Sequence, residues 1–217
     1  GNIEVFVARV GPGPKLRITQ VTSSTGGVLG GFNLGPSITA AGTRVAFFSD
    51  RDLLGENLSQ RRLAFQVYVA DLDPETFKVI RLTRVTTDTR SANVFPVLDR
   101  SGEALAFISD SRELADNDAG VPQVVRADLR SITGTIVLTQ VTRTAGVVDQ
   151  PAISPDGAHI AFLLDGRVQL WSAATGNVRE ITAPGARSYS APSLSEAPAG
   201  PPGAVRVAFL FSTNGSP

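Results

Sequence analysis

Short apolar runs punctuated by glycine and proline recur along the chain, and no long window keeps the i, i+3, i+4, i+7 apolar spacing of a helix. One run returns four times: Val45-Ala46-Phe47-Phe48-Ser49-Asp50, Leu105-Ala106-Phe107-Ile108-Ser109-Asp110, Ile160-Ala161-Phe162-Leu163-Leu164-Asp165 and Val207-Ala208-Phe209-Leu210-Phe211-Ser212. Each is preceded by a proline phrase, at Pro36, Pro96, Pro151 and Pro192, and by an intervening glycine, Gly42, Gly102, Gly157 or Gly203. A strand, a turn with a left-handed position and a second strand account for that order. The two strands are labelled A and B.

Two further phrases complete a unit. Strand C reads Gln66-Val67-Tyr68-Val69-Ala70, Gln123-Val124-Val125-Arg126-Ala127 and Gln169-Leu170-Trp171-Ser172-Ala173, with a fourth copy at Glu4-Val5-Phe6-Val7-Ala8. This alignment sets Phe6, Tyr68 and Trp171 at one equivalent position, where they serve packing between units. Strand D reads Leu16 to Thr22, Ile80 to Thr86, Ile136 to Thr142 and Val178 to Thr182. Strand B is apolar on both faces, so it lies between neighbouring sheets; strands C and D alternate in places, as outer strands do.

Four-stranded antiparallel units repeated along a chain predict an all-β fold, a β-propeller. The sequence divides into strands C and D of a half-blade at 1–22, blades at 32–86, 95–142 and 150–182, and strands A and B of a half-blade at 191–217, all in one domain. Equal numbers of the four strand types predict four blades, with the N-terminal C–D pair completing the C-terminal A–B pair. A slice of a larger ring of six to eight blades is the alternative.

Composition narrows the functional classes. The 20 Lys+Arg balance the 20 Asp+Glu, which removes the electrostatic case for a nucleic-acid or anionic-membrane binder. No apolar run approaches the length of a transmembrane helix. The chain has no Cys and one His, His159, so neither a thiolate site nor a His-rich metal centre can be assembled, and no cofactor is expected. No Gly-x-Ser-x-Gly elbow is present. Methionine is absent even at position 1, so a processed or excised piece is expected.

The phrase Pro151-Ala152-Ile153-Ser154-Pro155-Asp156-Gly157, followed by Ile160-Ala161-Phe162 and Gln169-Leu170-Trp171, resembles the TolB-like, PD-type propeller repeats of bacterial envelope and secreted proteins. The Phe-x-Ser-Asp endings at Asp50 and Asp110 belong to the same pattern. The resemblance spans nearly the whole chain and implies the propeller fold and an exported protein, periplasmic or extracellular. It does not imply one activity. In the turn signature, proline presets φ, Asp caps amides and glycine takes the left-handed position. Asp50, Asp110, Asp156 and Asp165 are accordingly expected to be structural.

The most individual features are two long B–C loops, Arg51 to Arg62 and Ser111 to Gly120. Long loops on a rigid scaffold are where binding is placed, which makes Arg51, Asp52, Glu56, Asn57, Arg61, Arg62, Arg112 and Glu113 candidate binding residues. Asp116 and Asp118 alternate as calcium ligands do but lack a bidentate Glu, so no metal is expected there. With no catalytic set in sight, the expectation is a non-catalytic exported propeller that binds protein or builds an assembly, without nucleic acid or membrane insertion. The alternatives are a gating accessory propeller of a hydrolase or peptidase, and a glycan or small-molecule binder at the channel mouth.

Overall fold

The structure, a computed structural model, describes residues 1–11, 16–24, 31–56, 64–88, 90–131, 134–182, 188–195 and 205–212. Among these, β1 (Phe6–Arg9) pairs with β2 (Arg17–Gln20) as a two-stranded sheet. A four-stranded sheet follows, β3 (Asn33–Ile38), β4 (Arg44–Ser49), β5 (Gln66–Leu72) and β6 (Val79–Arg84). The second comprises β7 (Asn93–Leu98), β8 (Ala104–Ser109), β9 (Gln123–Asp128) and β10 (Val137–Gln140). The third comprises β11 (Val148–Ile153), β12 (His159–Leu164), β13 (Arg167–Ser172) and β14 (Val178–Glu180), and β15 (Ser188–Leu194) with β16 (Val207–Ser212) ends the series. Every strand pairs antiparallel with its sequence neighbour in the sheet. The expected A–B–C–D unit is thus present three times, flanked by a C–D and an A–B half-blade.

The A strands run upstream through their prolines. In each, the residue ahead of the proline has a positive φ: Gly35 (60°), Phe95 (56°), Gln150 (50°) and Ala191 (51°). The A–B register slips there, so that two residues face one across the ladder. Gly35 and Pro36, for instance, lie between the Leu34–Phe48 and Ser37–Ala46 pairs, opposite Phe47. A bulge is where a strand tolerates a residue without an amide hydrogen. The recurrent proline and the recurrent B-strand phenylalanine are therefore two sides of one feature.

Sheets stack face on face, and the B strands of the three full blades are buried on both sides. Val5, Val7 and Val21 pack on Val45, Phe47 and Tyr68. Phe48, Val67 and Val69 meet Leu105, Phe107 and Val125. Ala106, Ile108 and Val124 meet Ile160, Phe162 and Trp171. Leu163 and Val168 meet Tyr189. Polar ties link the A–B hairpins of successive blades: Ala40 N donates to Arg100 O at 3.2 Å and Arg100 N to Pro155 O at 3.1 Å. Arg44 Nη1 reaches Gly102 O at 2.6 Å, and Arg126 Nε reaches Gly157 O at 3.3 Å.

Two expectations change. Trp171 does not occupy the place of Phe6 and Tyr68. Phe6 faces Gln20 and Tyr68 faces Arg84, positions that in the third blade correspond to Gln169 facing Glu180; Trp171, opposite Ile160, matches Ala70, opposite Val45. The cause is the B–C connection: Asp165-Gly166 is a two-residue hairpin with φ of 50° and 73°, so β13 begins at Arg167, two residues ahead of the Gln-Leu-Trp phrase. A shift of two keeps the face and changes the height.

Ring closure is the second. The ladder expected between residues near Phe6 and residues near Phe209 is not formed: β1 pairs with β2, β16 pairs with β15, and no described strand pairs with the other edge of either. Phe6 (53%), Leu210 (65%) and Phe211 (53%) stand exposed.

Candidate functional site

The aspartates that close the B strands form one repeated device. Asp50 Oδ1 accepts from Phe32 N (2.9 Å), Asp110 Oδ1 from Ala92 N (2.7 Å) and Asp165 Oδ1 from Val147 N (2.9 Å). Each returns its own N–H to the carbonyl of the same residue. The carboxylate thus clamps the entry of strand A to the exit of strand B. Asp156 accepts from Ser154 Oγ at 2.5 Å and from Ala158 N at 3.0 Å. Burial works against its charge, but those bonds and His159 hold its carboxyl below the usual range. These four carboxylates serve the scaffold, as their turn chemistry suggests.

A second device joins strand C to strand D. Gln66 Oε1 accepts from Thr86 Oγ1 at 2.7 Å, while that hydroxyl accepts from Val67 N at 3.1 Å. Gln123, Thr142 and Val124 repeat the pattern at 2.8 and 2.9 Å. Glu4, Thr22 and Val5 repeat it in the N-terminal half-blade at 2.6 and 2.8 Å. These buried amides and hydroxyls satisfy one another, which is the condition for keeping them inside.

The two long loops diverge in detail. In the first, Arg51 lies largely buried, its guanidinium 3.4 Å from Asp50 Oδ1 and its carbonyl accepting Tyr68 Oη at 2.8 Å. Burial pushes the Tyr68 phenol up to about 12, so it stays a donor. Glu56 pairs with Arg84 at 2.8 Å. Asp52 is half-buried in the same loop, and Asn57, Arg61 and Arg62 fall outside the described residues. In the second loop, Asn117 turns inward, donating to Ser111 O (2.8 Å) and accepting from Val121 N (3.1 Å). Asp116 faces Arg143 at 3.3 Å and Asp118 is exposed. With the middle side chain turned in, Asp116 and Asp118 do not converge with it on a common point. Among the described residues no three His, Asp or Glu cluster to hold a metal.

The second loop borders a cleft of about 430 Å³ on the second blade, lined among others by Asp88, Ser111, Glu113, Leu114, Gln140 and Arg143. A neighbouring hollow carries Arg90, Asp110, Arg112 and Gly120, and shares Asp88 and Glu113. The structure therefore brings Arg112 and Glu113 to one surface and leaves Arg51 and Glu56 engaged on the first blade. Asp88 is nearly buried beneath the cleft. Its carboxylate accepts from Ser91 Oγ, from Ser111 Oγ at 2.9 Å and from Arg90 N at 3.1 Å. Burial opposes ionisation, yet these bonds prevail and hold its carboxyl below the ordinary value.

Gln140 is the residue that sequence reasoning missed. Both polar atoms of its carboxamide are shielded from solvent and have no hydrogen-bond partner among the described residues. Its register equivalents are all engaged. Gln20 donates to Thr22 O at 2.7 Å, Arg84 pairs with Glu56, and Glu180 pairs with Arg167 at 3.0 Å. The sequence signal was faint: the D strands carry Gln20, Arg84, Gln140 and Glu180 in register, and their engagement is decided by the loops above them.

No family model matches the chain, and no curated protein matches it. Solved structures do. A puromycin-hydrolyzing peptidase of Mycobacterium tuberculosis aligns with a TM-score of 0.58 at 15% identity, over 92% of this chain and 30% of that one. The Swd1 β-propeller domain of Myceliophteria thermophila aligns with a TM-score of 0.52 at 10% identity, over 89% of this chain and 57% of that one. TolB from Acinetobacter baumannii is 21% identical over 76% of this chain and 35% of its own, with a TM-score of 0.47. At such identities the first two likenesses establish the β-propeller fold and nothing finer. The chain spans less than two thirds of each of these proteins.

Proposed function

We propose that this chain is a non-catalytic, exported β-propeller module that binds an extended segment of another protein in the cleft on its second blade. One observation carries the reading: Gln140 lines that cleft, and the donor and acceptor of its carboxamide, shielded from solvent beside it, have no partner among the described residues, while its equivalents in the other three D strands are paired. Leaving such a group unsatisfied costs on the order of 1–3 kcal/mol. A carboxamide offers the two bonds that a peptide unit needs, its oxygen accepting from the peptide N–H and its NH2 donating to the peptide C=O. Leu114 and Leu138 supply apolar wall beside it, and Glu113 and Arg143 supply charge of both signs at the rim.

The aspartates that would otherwise invite a hydrolytic reading are committed to scaffold bonds, which supports a binding role over a catalytic one. An exported location, periplasmic or extracellular, rests on the TolB-like repeat phrases. We take the C–D and A–B half-blades to be complementary parts of one further blade, so that the chain supplies four blades' worth of strands. The likeness to a peptidase propeller concerns fold alone and lends no weight to a gating role.

Selection of a random peptide library on the immobilised protein tests the reading. Enriched peptides are expected to bind at least about ten-fold more weakly to Gln140→Leu and to Glu113→Arg, the loss of about 1.4 kcal/mol that one bond to a desolvated amide represents. Peptides that bind both variants as well as the parent protein, or no enrichment at all, would overturn it. Turnover of peptide or ester substrates by the parent protein would overturn its non-catalytic part.

A further inference from the structure

The end of the sheets where strand A turns into B and strand C into D carries a hollow of about 440 Å³ between the first and second full blades. The first blade contributes Arg44, Asp71 and Arg81 to it, the second Glu103 and Arg130. Arg44, Asp71 and Arg81 stand at one level on the adjacent strands β4, β5 and β6, each directly across from the next. Asp71 Oδ1 accepts from Arg44 Nε at 2.6 Å, and its Oδ2 accepts from Arg81 Nε at 2.7 Å and from Arg81 Nη2. The arrangement is particular to this blade and is no property of the repeat. At the same level the second blade carries Ala104, Asp128 and Val137, and the third sets His159 opposite Ser172.

Two guanidinium groups on one carboxylate leave a positive charge uncompensated. That charge is poorly hydrated, since the side chains of Arg44 and Asp71 are 18% and 12% exposed and that of Arg81 39%. Burial opposes the Asp71 charge, but the two guanidinium groups outweigh it and hold its carboxyl below the ordinary range. Asp71 is thus ionised at neutral pH, and its single charge answers one arginine of the two. Among the described residues it is the only carboxylate in ion-pair contact with either. An excess charge partly out of water is costly until an opposite charge meets it. Donors are left for that purpose. Arg44 commits Nε to Asp71 and Nη1 to Gly102 O, at 2.6 Å each, which leaves Nη2; Arg81 has Nη1 left.

We propose that this hollow binds a small hydroxylated oxyanion, an acidic sugar, with its charged group on the free donors of Arg44 and Arg81 and a hydroxyl on Glu103. Guanidinium groups present planar donors that match the oxygens of a carboxylate or a phosphate, and the two anions share this chemistry. Glu103 and the Thr43 hydroxyl supply an acceptor and a donor for hydroxyl groups, and the buried Leu129 supplies a patch of apolar wall for ring carbons. Arg130, exposed and paired with Asp128, adds positive charge at the rim. The volume is that of a small-molecule site. The hollow lies at the end of the sheets opposite the Gln140 cleft and does not depend on it.

Titration calorimetry at constant chloride with glucuronate, glucose 6-phosphate and glucose tests the site. At least one of the two acids is expected to bind and neutral glucose is not, and the acid that binds tells carboxylate from phosphate. Arg81→Gln leaves Asp71 paired one to one with Arg44 and is expected to weaken that binding at least about ten-fold. Glu103→Gln, an exposed change, is expected to weaken it by a smaller factor and to leave the binding of inorganic phosphate, which has no sugar hydroxyls, as it was. Fluorescence of the buried Trp171 reports that each variant is folded. Absence of binding by both acids at millimolar concentration would overturn the proposal, as would glucose binding equal to theirs. Undiminished binding to Arg81→Gln would overturn it as well, and undiminished binding to Glu103→Gln would overturn the placement of the hydroxyl. Gln140→Leu should leave all these titrations unchanged, and none of them decides whether peptides bind the Gln140 cleft.

Discussion

The second and third blades share strand order, bulge and core, and differ in how strand B reaches strand C. In the second, a long loop intervenes and Gln123 plugs the entry to strand C. Its carboxamide nitrogen donates to Thr144 O at 2.7 Å, and its oxygen accepts from Thr142 Oγ1 and from Thr144 N. In the third, Asp165-Gly166 turns the chain in two residues, and the equivalent of Gln123 is Arg167, an exposed side chain paired with Glu180. A tight hairpin holds its strands by backbone alone, whereas a long loop leaves polar groups at the sheet end that a buried amide must satisfy. The opened sheet end is also where the cleft forms. Connection length thus separates a sheet end closed by a hairpin from one that borders a cleft.

The comparison is broken first at its common part. Phe107→Ala and Phe162→Ala, each deleting a fully buried ring, are expected to cost about 3–5 kcal/mol apiece in urea unfolding followed by Trp171 fluorescence. Similar losses would show that the two cores are built alike; a loss below about 1 kcal/mol in either would mean that its sheet is not packed as described.

The difference itself is sharper at strand C. Gln123→Leu strands the Thr142 hydroxyl and the Thr144 carbonyl and should cost about 1–3 kcal/mol. Arg167→Leu, at the equivalent exposed place, should stay within about 0.5 kcal/mol. Equal effects would remove the distinction between plug and hairpin. Gly166→Ala meets no atom within 4 Å, so its cost is the left-handed backbone alone, about 1 kcal/mol. A larger loss in the same unfolding assay would point to a contact made by the hairpin.

Smallest is the effect of pH. The Asp88 carboxyl is held below its ordinary value in the folded state, so its contribution to stability is complete above the unfolded pKa of about 3.9 and fades as pH falls through the folded one. Asp88→Asn should lower stability at neutral pH and flatten the fall below about pH 4, so that the two profiles converge in acid. An unchanged acid limb would mean that the Ser91 and Ser111 bonds do not favour the ionised form.

Much of the scaffold was legible because repetition makes each strand a test of the others. The Phe-x-Ser-Asp endings announced the aspartate clamps, since an Asp after a strand caps amides wherever the fold places it. Trp171 was misaligned because Gln169-Leu170-Trp171 imitates Gln66-Val67-Tyr68 in residue type. The hairpin before it sets the height on the sheet, and residue type does not record that. Glu113 lines the cleft and Arg112 the neighbouring hollow, while Arg51 turned inward beside Asp50; the same loop pattern carries either placement. Gln140 could not be singled out, because an amide on a D strand is ordinary until its neighbours prove to be engaged elsewhere.

Local chemistry determined the units. Proline and glycine fixed the bulges and turns, and apolar runs on both faces marked the inner strands, all interactions between residues close in the chain. What only the tertiary structure decided were the relations between units: which polar groups find partners across a sheet end, and whether the two open edges meet within one molecule. Those depend on distances between segments far apart in the chain, where the sequence supplies matching edges and the stacking of the blades decides whether they touch.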